Sequence, residues 1–418
     1  MSEASVLKPP AVRPDHVPES LVYDFDFFHD AGLKVDPHAR ILTLVKEAPP
    51  VFWTPHNGGH WMIIGYDEVF KASRDTESFS SSFMAPAQMK AMMASLPAGA
   101  PHIPQPRPIN IDPPEHGKFR APLQKAFSPK AALALKQDIR ALADSLIDAF
   151  EKRGHCDFMV DFAELLPVQV FLKMFGLPVE RQAEYRALVK EHLSETNVEP
   201  AKTMMKLRRI AGVMRDTILE RRDNPRDDIL SALWRAGVDG RPTTLEDMED
   251  YSVLLFIAGL DTVVNGLGFL MRHLANDPAL QAELRSNPKL IPEASEEMLR
   301  RYTFTVPVRR VGKDIDFEGV KMKESERVML YLPAADLDSR QFAHPDRYDF
   351  NRQERVHIAF GGGPHRCLGS HLARVELQTV CEQMLVRLPS FRLDPAKPLT
   401  FHGGNVHGVD TLPLMWNV

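Results

Sequence analysis

The sequence predicts a helix-dominated α+β domain with small sheets at its edge, and three observations carry that expectation. Helical spacing of apolar residues is almost continuous from Pro114 to about Leu284. Short β-like runs occur only on either side of that block, and no fixed-period repeat or low-complexity linker divides the chain. The 418 residues are 44% hydrophobic and 26% charged, an ordinary globular composition, and a net charge of -5 gives no global basic field for nucleic acid. Residues 1–20 read as a flexible, proline-stiffened arm and 21–418 as a single domain, expected to be cytoplasmic, monomeric and without membrane attachment.

In order along the chain, "DPHARILTLVKEA" from Asp36 has helical spacing, and "PVFWTPHNGGHWMIIG" reads as a hairpin around Asn57-Gly58. A helix is expected at 67–75. The segment from Phe79 to His116 then carries prolines from Pro97 to Pro114 that forbid continuous helix there, and so long an irregular excursion suggests a lid or binding loop. Phe83, Met84, Met89, Met92 and Met93 would give it a greasy surface. Helices are expected at 114–126, 129–152, 160–175, 179–194, 200–222, 226–236, 245–276 and 290–302. Ser128, Asp161 and Thr244 are suited to N-caps and Pro129 to a first turn. Strands are expected at 306–311, 314–322 and 326–331, a last long helix at 368–386, and short strands from Phe391 to Val418.

The chemistry concentrates in "AFGGGPHRCLGSHLA", residues 359–373. Cys156, Cys367 and Cys381 are too few and too scattered for a disulfide framework, and a free cysteine commonly behaves as a small buried hydrophobe. Cys367 differs in its setting. Three glycines at 361–363 let the backbone approach something bulky, and a nearby helix start favours thiolate, so the stretch suggests a sulfur ligand held against a flat cofactor.

"FGGGPHRCLG" resembles the haem-binding loop of the cytochrome P-450 family, with Phe360, Gly363, His365, Cys367 and Gly369 in matching places. His365 stands where most of the family has arginine, which narrows the resemblance to the bacterial camphor-hydroxylase group. Glu297-x-x-Arg300 in "EEMLRR" is similar to the family's Glu-x-x-Arg pair, and Arg347 in "HPDRY" to the residue that completes it. "LLFIAGLDTVVNG" resembles the distal helix. The family fold is a helix-rich prism with haem b between that helix and the cysteine loop.

The resemblance implies that Ala258 and Gly259 leave room for dioxygen, that the Thr262 hydroxyl opens the helix locally and faces the oxygen-activating centre, and that Asp261 relays protons. It also implies that His116, Arg120, Arg309 and His365 hold the haem carboxylates, with Cys367 as the metal ligand. By position Leu254, Ile257, Ala258, Thr305, Val306, Asn405 and Val406 would line an apolar substrate pocket.

The activity implied is O2-dependent C–H hydroxylation of a small apolar molecule. With no tyrosine between Tyr66 and Tyr185 to hold a ketone, a monoterpenoid or norisoprenoid with few polar handles is expected in place of camphor. A fatty acid or aromatic substrate, or a non-catalytic haem-thiolate sensor, are the competing expectations. No flavin, nicotinamide or iron–sulfur segment is recognisable, so electrons are expected from a separate 2Fe-2S ferredoxin and its reductase, docking near Lys118, Arg120, Lys125, Arg366 and Arg374.

Overall fold

In a computed structural model of the protein, which describes residues 9–82, 84–94, 101–193 and 200–418, helices pack around the apolar Leu245–Asn276 region and small separate sheets pack against them. The largest sheet begins with the expected hairpin. Val51–Thr54 and His60–Ile63 pair antiparallel, turning where Asn57 and Gly58 adopt positive φ. His60–Ile63 then pairs in parallel with Arg327–Leu330, which pairs antiparallel with Val308–Val311, and Phe79–Ser80 closes the far edge. Every side chain in both hairpin strands is buried, with Trp61 fully inaccessible, so this sheet is a core element.

Residues 9–20 depart from the expectation of a flexible arm. Val17 is completely buried against Trp53 and Trp61, and Ala11 N–H donates to Pro55 O at 2.8 Å. The prolines stiffen a strap that the hairpin holds. Residues 1–8 lie outside the described residues, as do Phe83 and the side chain of Met93.

The helical block forms largely where periodicity predicts it. Ser128 accepts from Ala131 N–H ahead of Pro129, and Thr244 forms a reciprocal capping box with Asp247 at the start of Leu245–Gly259. Asp161 caps nothing. It lies inside a π-turn at Met159–Ala163, where its carboxylate accepts from Asp157 N–H and pairs with Arg153. A helix at Pro278–Ser286, capped by Asp277, and a short one at Pro86–Ala94 are additional to those expected.

The expected helix 245–276 is two helices, Leu245–Gly259 and Thr262–Asn276, separated at Leu260 and Asp261. By length and composition the combined stretch could cross a bilayer, but most of it is buried within the protein. Thr262–Asn276 packs on Ser370–Arg387, the helix that follows the cysteine loop. Leu368 of that loop joins the same apolar cluster as Leu254 and Ile257, so the two motifs meet across one core.

Candidate active site

Cys367 lies three residues before the helix Ser370–Arg387, and its backbone N–H donates to Phe360 O at 2.8 Å. The glycines that precede it serve the packing of this loop on the helix Tyr66–Arg74. A Cβ on Gly363 would stand 2.3 Å from Ser73 O, and one on Gly362 would stand 3.3 Å from Ser73 Cβ. At Gly362 and Gly363 the close approach is therefore to Ser73 of the protein itself, whereas a Cβ on Gly361 would meet open space. Gly369 N–H points at the sulfur. Burial pushes the Cys367 thiol up, opposed by that N–H and by the charges of Arg120, Arg366 and Arg374. The residue is deep in the fold, yet its surface is exposed.

Behind the loop, Glu297 and Arg300 form a bidentate ion pair, both contacts 2.8 Å, with Arg300 only 1% exposed. Its third member is Arg352, whose Nε donates to Glu297 Oε2 at 2.9 Å and whose side chain is buried. Arg347 was the expected partner, but its side chain is exposed and only its carbonyl takes part, accepting from Arg300 and Arg352. Pro345 O accepts two further bonds from Arg300, and Asp349 N–H donates to Glu297. Both charges are thus paired and saturated with hydrogen bonds, the condition under which buried ions persist. Phe360 lies beneath the Arg374 guanidinium, 4.5 Å from ring centroid to carbon, and Arg374 is itself held by Glu296.

Among the described residues, three buried nitrogens near the loop have no hydrogen-bond partner: His116 Nε2, His365 Nε2 and Arg309 Nε. The rings of His116 and His365 are 4.3 Å apart, and Asp112 Oδ1 is 3.8 Å from His365 Nε2, too far for a hydrogen bond. Burial, then His365 and Arg120, depress His116 to about 4, and burial draws Arg309 down to about 10. Unpaired buried donors are costly, and these converge where two carboxylates would satisfy them. Arg120 donates to Arg366 O at 2.7 Å, tying its helix to the cysteine loop. The donor set therefore fits haem: a thiolate for iron, and His116, Arg120, Arg309 and His365 for the carboxylates.

The opposite wall is the helix interruption. Thr262 Oγ1 donates to Ala258 O at 3.1 Å, replacing a main-chain bond, while Leu260 and Asp261 leave helical geometry. Ala258 is exposed in a stretch otherwise buried or half-buried. Gly259 does something else. A Cβ there would stand 2.5 Å from the Phe171 ring, so its lack of side chain admits Phe171 and not a ligand. Asp261 accepts from Asn265 Nδ2 at 3.1 Å. Burial raises its pKa, with His402, Arg186 and Lys190 pulling the other way. Arg186 and Lys190 both pair with Glu164, the latter at 2.9 Å, and neither contacts Asp261.

Of the expected pocket residues, Leu254 and Ile257 are half-buried on the same helix as Ala258. Thr305 bridges Val406, and Val306 N–H donates to Asn405 O at 2.8 Å, so two loops converge as one wall. Val306 is a correction: its side chain is buried with Phe25, Met62 and Tyr331 in a core cluster. Sequence reading did not find the contribution of Asp250. This buried carboxylate in the helix Leu245–Gly259 accepts from Gln105 N–H and meets His102 Nε2, both at 2.7 Å, fixing the loop 101–112 to the distal wall. An acidic residue 11 positions before Asp261, on a helix otherwise turning apolar, was the available signal.

Comparison with known proteins agrees with this arrangement. The cytochrome P450 family model matches residues 145–401. A probable cytochrome P450 127A1 of Sinorhizobium fredii is 36% identical over 96% of both chains. The steroid C26-monooxygenase of Mycolicibacterium smegmatis is 32% identical over 84% of this chain and 86% of that one. The crystal structure of CYP101J2 superimposes with a TM-score of 0.84 at 34% identity, covering 98% of this chain and all of the other.

Proposed function

Because the chain belongs to the cytochrome P450 family, and is therefore a haem-thiolate monooxygenase, we propose that it hydroxylates a small hydrophobic substrate, a monoterpenoid or norisoprenoid, with electrons from a separate ferredoxin. The observation that carries the reading is the Leu260–Asp261 interruption, which presents a hydroxyl and a deep carboxyl on the wall facing the cysteine loop. When bound, haem supplies oxygen activation, in which O2, two electrons and two protons yield hydroxylated product and water.

Cys367 would supply the thiolate that holds the iron, and the Gly369 N–H with the Arg120 and Arg366 charges favours that thiolate. His116, Arg120, Arg309 and His365 would hold the group by its carboxylates, and Phe360 packs under the Arg374 guanidinium in the same loop. With haem bound, Thr262 would be the hydroxyl available for hydrogen bonding on the distal wall and Asp261 the carboxyl able to hold and pass on a proton there. Leu254, Ile257, Ala258, Thr305, Asn405 and Val406 bound the substrate. Asn405 Oδ1 is buried without a partner among the described residues, a polar handle in a mostly apolar wall.

Residues 21–418 act as one haem-binding domain. On the cysteine side Lys118 is neutralised by Glu115 and Asp239, and Arg374 by Glu296. Lys125 and Arg366, both exposed, are the remaining cations for a 2Fe-2S ferredoxin.

Reduced protein under carbon monoxide gives a red-shifted thiolate Soret band that Cys367→Ala abolishes; absence of haem in the wild-type protein overturns the assignment. Spin-state titration against monoterpenoids, norisoprenoids and cholest-4-en-3-one then tests the substrate class. Saturation by a compact terpenoid is expected, and a preference for the sterol removes the small-substrate reading. Thr262→Ala lowers product per electron pair by about tenfold, and full coupling in that variant removes the role given to its hydroxyl.

A further inference from the structure

Asp261 is deep, and the two nearby cations on the helix Gln182–Leu193 are engaged elsewhere. Arg186 and Lys190 share Glu164, so neither passes a proton to Asp261 by direct contact. Asn265 is the residue that touches it. Its Nδ2 donates to both Asp261 O and Asp261 Oδ2, each at 3.1 Å, and Asn265 is only 2% exposed.

The other atom of that amide leads outward. A Cβ on Gly408 would stand 2.3 Å from Asn265 Oδ1, 2.5 Å from His402 Nε2 and 2.1 Å from His402 Cε1, so amide and imidazole converge over one glycine. Gly408 is absent from the glycines with positive φ; space, and not backbone conformation, requires glycine there. The hairpin sets this meeting, because His402 and Gly408 are register partners in the pairing of Thr400–His402 with Gly408–Thr411. On its far side His402 Nδ1 lies 2.7 Å from Asp410 Oδ1, and the two side chains are 40% and 50% exposed.

We infer that His402, oriented by Asp410, is the positioning residue that recharges Asp261 with solvent protons past Asn265. Asp410 holds a proton on Nδ1, which leaves Nε2 as the exchanging nitrogen. Nε2–H of the imidazolium gives its proton through a bridging water to the Asp261 carboxylate; the imidazole becomes neutral, the carboxyl becomes neutral, and solvent reprotonates Nε2. Asn265 carries no proton itself and lies between the donor and the acceptor. The charge balance around Asp261 agrees: after burial, which raises its pKa, His402 is the foremost influence, ahead of Arg186 and Lys190.

This rests on the reading of Asp261 as the proton donor, and the experiment separates the two. Histidine-ring 15N spectra of the reduced, carbon monoxide-bound holoenzyme, with His402 assigned by its loss in His402→Phe, show the His402 nitrogens shifted by Asp261→Asn. Identical His402 signals in wild type and Asp261→Asn overturn the inference. In turnover with β-ionone, a 2Fe-2S ferredoxin and its reductase, His402→Phe lowers product per NADH at least about fivefold and enlarges the solvent deuterium isotope effect. Asp410→Asn does the same in part, and Asp410→Glu restores it; unaltered haem absorption certifies that each variant is folded. Wild-type coupling and isotope effect in His402→Phe alone overturn the His402 role, whereas wild-type coupling in Asp261→Asn overturns the underlying assignment.

Discussion

The two walls of the active site are built by opposite means. The cysteine wall is over-determined: Glu297, Arg300 and Arg352 share a buried network in which backbone carbonyls of Pro345, Arg347 and Asp336 accept the remaining guanidinium hydrogens. The distal wall is under-determined. Its helix surrenders main-chain bonds at Leu260 and Asp261, and a threonine hydroxyl substitutes for one of them. A ligand to iron gains from a fixed position, whereas proton delivery needs groups that can exchange partners; each wall has the bonding its task requires.

The largest expected effect tests the rigid wall. Arg352→Ala leaves Glu297 half-paired in the core and costs about 3–5 kcal/mol, read as a fall in the unfolding midpoint and in haem retained on purification. Arg347→Ala, at the position expected from sequence, changes stability by no more than about 0.5 kcal/mol. A reversal of that order would return Arg347 to the network. Next comes the distal wall. Gly259→Ala drives a methyl into the Phe171 ring and costs about 1–3 kcal/mol by overpacking. Phe171→Leu in the same chain recovers most of that loss in thermal unfolding, an outcome that a methyl blocking the oxygen space would not produce.

What was legible from sequence follows the range of the interactions involved. Cys367, Thr262 and Asp261 stand out because a short local pattern specifies each, and the Glu297–Arg300 pair because it is one helical turn long. Arg352 escaped notice because its partnership spans a meander whose path only the packed fold defines. Gly259 was read for the space it leaves without knowledge of which neighbour, Phe171, approaches it. The single helix expected at 245–276 follows from an unbroken apolar period, which is blind to a hydroxyl that competes for one carbonyl; the opening at Thr262 was legible through the family resemblance instead. Asp161 looked like a cap by residue type, but a π-turn consumed its carboxylate.

The smallest effect lies where the two walls meet the loop 101–112. Burial of His102 disfavours its charged ring, and the hydrogen bond and charge of Asp250 outweigh that, so its pKa is raised in the folded protein. Arg107 approaches the same carboxylate at 3.4 Å, and Glu249 and Glu246 add negative charge. A group whose folded pKa is raised contributes its stabilisation fully below the unfolded pKa and loses it as pH rises through the folded value. The loop is therefore held most firmly below the ordinary histidine pKa and loosens above the raised one. With His102 half-buried, the contribution is screened to about 1 kcal/mol or less. Limited proteolysis within 101–112, followed against pH, is expected to accelerate on the alkaline side in wild type and to lose that step in His102→Gln. An unchanged step in His102→Gln would trace the alkaline loosening to another titrating group and remove the role given to His102.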